Sequence, residues 1–197
     1  MRLINIMKSE LIRKGIHILI ALVPSLAAWN YSCTALLLMG GVFFYTCVES
    51  LRFLGFSPPF VSSVTKSVLR QRERDRFALG PITLGLGALL TMLLFPPQAA
   101  AVAVYTLAFG DSAATLIGKS LGRARPAFMR GKSLEGSLAC FVVSVLVCFF
   151  IFQDWRIAIA TGLVSMAVEA LPAKDFDNLL LPLAAALTAT LAASVLL

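Results

Sequence analysis

Long apolar runs alternate with short polar segments along the whole chain. Seven of these runs approach or reach the roughly 17 to 25 residues that cross a bilayer as a helix. They cover residues 12–29, 33–51, 79–95, 99–118, 134–152, 157–171 and 179–197. None shows the strict alternation of barrel strands, and only helices or closed barrels satisfy the backbone in lipid. The pattern predicts an all-α, polytopic membrane bundle of about seven helices, formed by a single domain over residues 1–197.

The composition agrees with an integral membrane protein. Hydrophobic residues make up 59% of the 197 residues and the mean hydropathy is +0.89, which is more apolar than a soluble domain of this size needs. The four cysteines lie in or beside the apolar runs without a Cys-x-x-Cys pair, and this pattern indicates neither a zinc site nor a disulfide framework. We interpret them as small packing residues.

The net charge of +7 is informative through its distribution. If seven runs span the membrane, all but Arg156 of the 17 lysines and arginines fall on one side. The positive-inside rule makes that side cytoplasmic and places the N-terminus there. Because membrane topology already explains the basic charge, we expect no nucleic acid partner.

The loop at residues 52–78 is strongly basic. Apolar residues alternate there with cations at roughly helical spacing, which is typical either of an interfacial helix on anionic lipid or of a plain cytoplasmic loop. Just before the loop, Glu49 lies three residues from Arg52. This pair is interpreted as a surface ion pair of small energetic value.

An acid interrupts the fourth apolar run. Charged residues within a membrane segment are costly and usually mark function, so Asp111 is predicted to face the bundle interior or a wet cavity. The alternative is a structural aspartate paired with a neighbouring base. Thr115 and Lys119 follow Asp111 on one helix face, and small residues recur every fourth position on the adjacent face, a pattern that permits close helix contact. These small residues are Gly110, Ala114, Gly118 and Gly122.

The fifth run begins with Gly131-Lys132-Ser133, followed by Glu135 and Gly136. This is not a P-loop, because the position that requires the first glycine holds Pro126. Ser133 is predicted to cap the helix, and helix N-terminal amides beside Lys132 are predicted to cradle phosphates. Glu135 in the first turn is a candidate metal ligand. Residues 110–137 are therefore interpreted as the nucleotide and metal stretch.

Two further polar clusters lie near the chain ends. The spacing of Glu10, Arg13, Lys14 and His17 places all four on one helix face, which suits a phosphate or a carboxylate partner. The alternative is an ordinary basic flank whose long side chains reach the interface.

The last loop concentrates Glu169, Asp177 and Asn178. Magnesium is usually held by one or two carboxylates together with substrate phosphates, so we expect Asp111, Glu135 and Asp177 to meet on the cytoplasmic side. The alternative is a polar turn between helices. Asn178 is a candidate helix cap or ligand group.

Four motifs, in chain order, resemble the CTP-dependent polyprenol and lipid kinases, the family of dolichol kinase, phytol kinase and the CTP-using diacylglycerol kinase. The motifs are Glu10-x-x-Arg13-Lys14-x-x-His17, Gly110-Asp111-Ser112-Ala113-Ala114 through Gly118, Gly131-Lys132-Ser133-Leu134-Glu135-Gly136-Ser137, and Glu169-Ala170-Leu171 followed by Asp177-Asn178. The resemblance implies an integral-membrane kinase that uses CTP and Mg²⁺ or another divalent cation to phosphorylate the hydroxyl of a lipid alcohol. Its active site would face the cytoplasm. Residues 79–82 depart from the family's pattern.

Under this hypothesis the catalytic and metal-binding residues are Asp111, Glu135 and Asp177. The nucleotide-binding residues are Arg13, Lys14, Gly110, Thr115, Gly118, Lys119, Lys132, Ser133 and Gly136. Glu10, His17, Glu169 and Asn178 are further candidates. The residues do not identify the alcohol (polyprenol, phytol-like prenol or diacylglycerol) or the oligomeric state, and the choice of CTP over ATP rests on the resemblance.

Two rival functions stay open at this stage. One is a CDP-lipid synthase, which would transfer CMP to a phosphatidate-like lipid and release pyrophosphate. The other is a membrane transporter that uses intramembrane acids for coupling, although the sequence shows no repeated halves.

Overall fold

The computed structural model describes residues 14–15, 17–56 and 77–196. Within these ranges every regular element is helical. A 3₁₀ turn at Leu19–Leu22 leads into α1, and the remaining helices follow in order. They are α1 (Val23–Trp29), α2 (Tyr31–Phe53), α3 (Gly80–Leu94), α4 (Pro97–Tyr105), α5 (Asp111–Ser120), α6 (Leu134–Phe152), α7 (Trp155–Ala170) and α8 (Asp177–Leu196). Glu10, Arg13 and residues 57–76 of the basic loop lie outside the described residues.

Capping residues explain where several helices begin and end. The side chain of Asn30 accepts a hydrogen bond from Cys33 N at the start of α2, and Asp154 accepts from two amides at the start of α7. Ser133 caps α6 by accepting from Gly136 N, as the sequence predicts. Gln153, in the left-handed region at φ 56°, ends α6.

Four helices are long and apolar enough to cross a membrane by themselves within the described part of the chain. They are Tyr31–Phe53, Pro97–Ser120, Leu134–Phe152 and Lys174–Leu196. The segments Leu19–Trp29 and Gly80–Leu94 are shorter apolar helices. The chain is thus an all-helical integral membrane protein, whereas the count of seven spans and the cytoplasmic N-terminus stay predictions.

Helix α6 lies near the middle of the packing, against α5 and α7, while α8 packs on α7, α3 and α4. The predicted close helix contact is confirmed where α5 crosses α6. A Cβ atom added to Gly136 would lie 2.7 Å from the carbonyl oxygen of Ala114, and one added to Gly118 would lie 2.9 Å from Ser133 Oγ. Only glycine fits at such a crossing, which brings the two halves of the predicted nucleotide stretch together.

The predicted pair between Glu49 and Arg52 is confirmed, but its placement at the surface is wrong. Glu49 is 1% exposed, and its carboxylate accepts hydrogen bonds from the Arg52 guanidinium and from Ala78 N. The second partner, the amide of Ala78, is 29 residues away along the chain, so local spacing could not predict this contact. Glu49 therefore joins the end of α2 to the segment that leads into α3.

Candidate functional site

A cavity of about 480 Å³ opens where α5 ends, α6 begins, α7 ends and α8 begins. Predicted site residues make up much of its lining: Asp111, Thr115, Gly118, Lys119, Lys132, Ser133, Gly136, Glu169 and Asp177. Carboxylates and lysines from the ends of four helices therefore share one open cavity. A concave site with a few converging polar groups is the usual form of a small-molecule binding site.

Asp111, in the fourth apolar run, contacts Lys14 and His17 near the start of the chain. Its residue is 8% exposed, and its Oδ2 atom forms an ion pair with Lys14 Nζ and lies 3.1 Å from His17 Nε2. The same His17 atom lies 3.1 Å from the carbonyl oxygen of Leu107. Because both partners accept hydrogen bonds, we assign the hydrogen to Nε2. The structure thus brings Lys14, His17 and Asp111 together, a contact that the sequence did not specify. It agrees with a carboxylate partner for the face that carries Lys14 and His17, and also with the alternative of an Asp111 paired with a base.

The helix carrying Asp111 contains a π-helical turn at Thr106–Gly110, and the amide of Asp111 donates to Thr106 O. Such turns occur frequently at functional sites. The helix continues through the turn, so Pro97–Ser120 is one helical segment. No pattern in the sequence indicates this turn, which directly precedes the buried acid.

Lys132 lies between two carboxylates from the other side of the cavity. Its Nζ atom is 3.3 Å from Glu169 Oε1 and 2.9 Å from Asp177 Oδ2, and it also donates to the main-chain oxygen of Glu169. Burial by itself would lower the pKa of Lys132, but the two carboxylates outweigh burial and raise the pKa above its usual 10.5. Lys132 is therefore cationic at neutral pH.

Glu135 does not line the cavity together with Asp111 and Asp177, contrary to the expectation that the three acids meet. Its Oε1 atom accepts hydrogen bonds from the amides of Arg123 and Ala124, at 2.9 and 3.0 Å, and the described lining of the cavity omits it. The side chain holds the loop between α5 and α6 against the first turn of α6. This contact depends on the fold of the loop, which spacing along the sequence does not reveal.

Groups of the same loop form hydrogen bonds around the predicted phosphate cradle. The Arg125 guanidinium donates to the main-chain oxygens of Gly131, Gly118 and Gly122. At the start of α6, Leu134 N donates to Ala124 O and Gly136 N donates to Ser133 Oγ. The expectation of free amides at this helix N-terminus is thus wrong for these two groups, because the loop and the cap already satisfy them.

Asn178 connects α8 to α3. Its Nδ2 atom donates to Gly80 O at 3.1 Å and lies 3.5 Å from Thr83 Oγ1, which itself donates to Asp175 O. Asn178 lies in the first turn of α8 and does not cap it. The segment that departs from the family pattern therefore anchors the helix that carries Asp177.

Two carboxylates of the cavity, Asp111 and Asp177, are candidate ligands for a metal ion that a bound phosphate would share. In residues 14–15, 17–56 and 77–196, no three His, Cys, Asp or Glu side chains are grouped closely enough to hold a metal by themselves. Asp111 and Asp177 nevertheless line the same cavity. Magnesium commonly takes one or two protein carboxylates and completes its shell with phosphate oxygens and water.

Several characterised proteins are similar in sequence to this chain. A probable chloroplastic phytol kinase of Triticum aestivum is 28% identical over 209 residues, which cover 95% of this chain and 69% of the relative. The phytol kinase of Synechocystis sp. is 30% identical over 94% of this chain and 81% of its own length. The CTP-dependent diacylglycerol kinase 1 of Schizosaccharomyces pombe is 26% identical over 83% of this chain and 74% of its own length. No family model and no solved structure matches the chain.

Proposed function

The chain belongs to the lipid kinase family that includes phytol kinase, dolichol kinase and the CTP-dependent diacylglycerol kinases, and on this basis we propose its reaction. The proposed reaction transfers the terminal phosphate of a nucleoside triphosphate, CTP, to the hydroxyl of a lipid alcohol. The observation that carries the proposal is the cavity in which lysines and buried carboxylates meet at one end of a membrane bundle. Phosphoryl transfer requires mainly positioning and neutralisation of charge, and this combination of groups supplies both.

The lysines are proposed to bind the triphosphate. Lys119 and Lys132 line the cavity, and Lys14 reaches Asp111 beside it. The ammonium groups of buried Lys14 and half-buried Lys132 attract phosphate oxygens more strongly than that of exposed Lys119, because screening by water is weaker around them. Arg13, which precedes Lys14 in the sequence, is proposed to act with it through the family's Arg-Lys pair.

Asp111 and Asp177 are proposed to hold a divalent cation together with the phosphates. Such an ion, when bound, would neutralise charge on the transferring phosphate. Glu135 is proposed to act through the loop, because its carboxylate holds the backbone beside Lys132 rather than facing the cavity. Thr115, Gly118, Ser133 and Gly136 are proposed to shape the wall where the nucleotide lies.

The acceptor is proposed to be a membrane lipid alcohol of the polyprenol, phytol-like or diacylglycerol class. Such a molecule would keep its chain among the apolar helices while its hydroxyl reaches the polar end of the bundle. The site is proposed to face the cytoplasm, because nearly all basic residues fall on its side under the seven-span topology.

Analysis of the nucleotide products tests this function against its nearest rival. Purified protein in detergent would be incubated with Mg²⁺, CTP and either a lipid alcohol or phosphatidate. We expect CDP and a phosphorylated alcohol. Pyrophosphate together with a CDP-lipid would instead identify a CDP-lipid synthase and overturn the proposal.

A further inference from the structure

Glu169 differs from the other acids around the cavity. It lies in the last turn of α7, lines the cavity and is 7% exposed. Its Oε1 atom pairs with Lys132, whereas its buried Oε2 atom has no hydrogen-bond partner among the described residues. A buried carboxylate oxygen without a partner is costly, and in a native protein it calls for an explanation such as a missing ligand.

Nearby negative charges add to the cost of burying the Glu169 carboxylate. The charges of Asp111 and Asp177 both act on Glu169, and its nearest cation, Lys132, is shared with Asp177. If phosphate oxygens of a bound nucleotide draw Lys132 towards themselves, Glu169 loses part of this interaction. It would then need a new hydrogen-bond donor at the moment when the phosphate is in place.

The other acids at this end of the bundle are committed differently. Asp111 Oδ2 is contacted by both Lys14 and His17. Asp177 pairs with Lys132 through Oδ2 and is the residue proposed above to hold the cation. Glu135 also has a buried oxygen without a hydrogen-bond partner, Oε2, but it lies outside the described lining of the cavity. Among the acids that line the cavity, Glu169 is therefore the one whose unpartnered oxygen best suits a donor that arrives with the substrate.

We propose that Glu169 accepts the proton of the lipid alcohol during transfer, an assignment that rests on the kinase function proposed above. A lone pair of the alcohol oxygen forms the bond to the γ-phosphorus while the alcohol's proton passes to Glu169. The bond from the γ-phosphorus to the bridging oxygen breaks, and its electron pair leaves with the nucleoside diphosphate. The position of Glu169 at the polar end of α7 suits an acceptor whose hydroxyl lies at the level of the lipid headgroups.

The test compares Glu169→Gln with Asp154→Asn, a matched loss of one carboxylate at the opposite end of α7. Removal of a base is expected to lower kcat of Glu169→Gln by about 100-fold or more. Nucleotide binding, followed by quenching of a fluorescent CTP analogue, is expected to stay unchanged, because Lys132 keeps its pair with Asp177. Asp154→Asn is expected to keep most of its kcat, because asparagine also caps a helix. The thermal unfolding temperature of each variant is measured to show that it is folded.

A second readout separates a proton acceptor from a structural residue. A prenol fluorinated at C2, the carbon beside the one that bears the hydroxyl, has a more acidic hydroxyl and depends less on a base. The loss of kcat in Glu169→Gln is therefore expected to be smaller with the fluorinated prenol than with the plain one. Glu169→Asp, which keeps the charge but shortens the reach, is expected to show partial activity with the same dependence and serves if the Gln variant does not fold.

Three results would overturn the assignment. Wild-type turnover in folded Glu169→Gln, or an equal loss with both prenols, would show that Glu169 takes no proton. Restoration of the Gln variant by raised Mg²⁺ or Mn²⁺ would make Glu169 a metal-holding residue instead. In each of these cases the wild-type protein still phosphorylates lipid. A wild-type protein that phosphorylates no lipid would overturn the kinase function and the assignment with it.

Discussion

Asp111 is held in place by side chains from nearly a hundred residues away in sequence. Lys14 and His17 both contact its Oδ2 atom, and all three residues are buried. Removing one member of a buried ion pair leaves an uncompensated charge, which costs about 3–5 kcal/mol. The pair at Asp111 therefore affects stability as well as chemistry, and the two effects need separate experiments.

A double-mutant cycle at Lys14 and Asp111 separates the effect on stability from the effect on activity. Lys14→Met alone is expected to destabilise the protein by about 3–5 kcal/mol, since Asp111 keeps its buried charge. Combining it with Asp111→Asn is expected to recover part of that stability but no activity. The measurement is chemical unfolding in detergent alongside turnover. Strictly additive losses of stability would contradict the ion pair.

Glu135 is expected to stabilise the loop between α5 and α6. Glu135→Gln weakens two charge-assisted hydrogen bonds, so the amides of Arg123 and Ala124 should exchange hydrogen faster. Hydrogen exchange followed by mass spectrometry measures this, with peptides from α7 as the internal control. Unchanged exchange in a variant without activity would point instead to direct contact between Glu135 and the nucleotide.

At the residue scale, the sequence predicted the important polar residues better than their contacts. Asp111, Lys132 and Asp177 stood out because charge is unusual near apolar runs, and all three line the cavity. The spacing could not reveal that Glu135 bonds to loop amides or that Glu169 shares Lys132 with Asp177. Those contacts depend on how α6, α7 and α8 approach one another, which no local pattern specifies.

At the scale of elements, the crossing of α5 and α6 shapes one wall of the cavity. Gly136→Ala would place a methyl group 2.7 Å from the backbone oxygen of Ala114, a neighbour that cannot move alone. We expect the helices to separate at a cost of about 1–3 kcal/mol, seen as a lower unfolding temperature. Gly41→Ala in α2 is the matched control, because nothing lies within 4 Å of the added atom. Equal stability of the two variants would contradict the close crossing.

The apolar runs predicted where helices form. They did not predict where the helices end or where irregular turns occur. The fifth run, 134–152, coincides with α6 because Ser133 caps its first turn. The fourth run is extended at both ends in the structure, to Pro97–Ser120, and contains the π-helical turn before Asp111. Capping groups and packing determine the helix ends and the irregular turn, so hydrophobicity alone does not predict them.

At the scale of the whole molecule, polar chemistry is concentrated at one end of the bundle. Lys132, the end of α7 and the start of α8 meet there, while Arg156 lies at the opposite end of α7 beside its partner Asp154. This arrangement agrees with the basic residues that the sequence places on one side of the membrane.

The topology can be tested with single cysteines in a chain whose native cysteines are replaced. In sealed cells, a membrane-impermeant maleimide is expected to label Arg156→Cys but to label Arg130→Cys only after the membrane is opened. Both side chains are exposed, so access to the reagent decides the result. Labelling of Arg130→Cys in intact cells would contradict the cytoplasmic site.

The most direct test of the central claim is the transfer of γ-labelled phosphate from CTP to lipid. Wild-type protein and Asp111→Asn would each be offered Mg²⁺ and a mixture of diacylglycerol, undecaprenol and phytol, with folding and nucleotide binding checked separately. We predict label in one class of lipid with the wild-type protein and none with the variant. Absence of label from every lipid with folded wild-type protein, or equal labelling by the variant, would contradict a lipid alcohol kinase centred on Asp111.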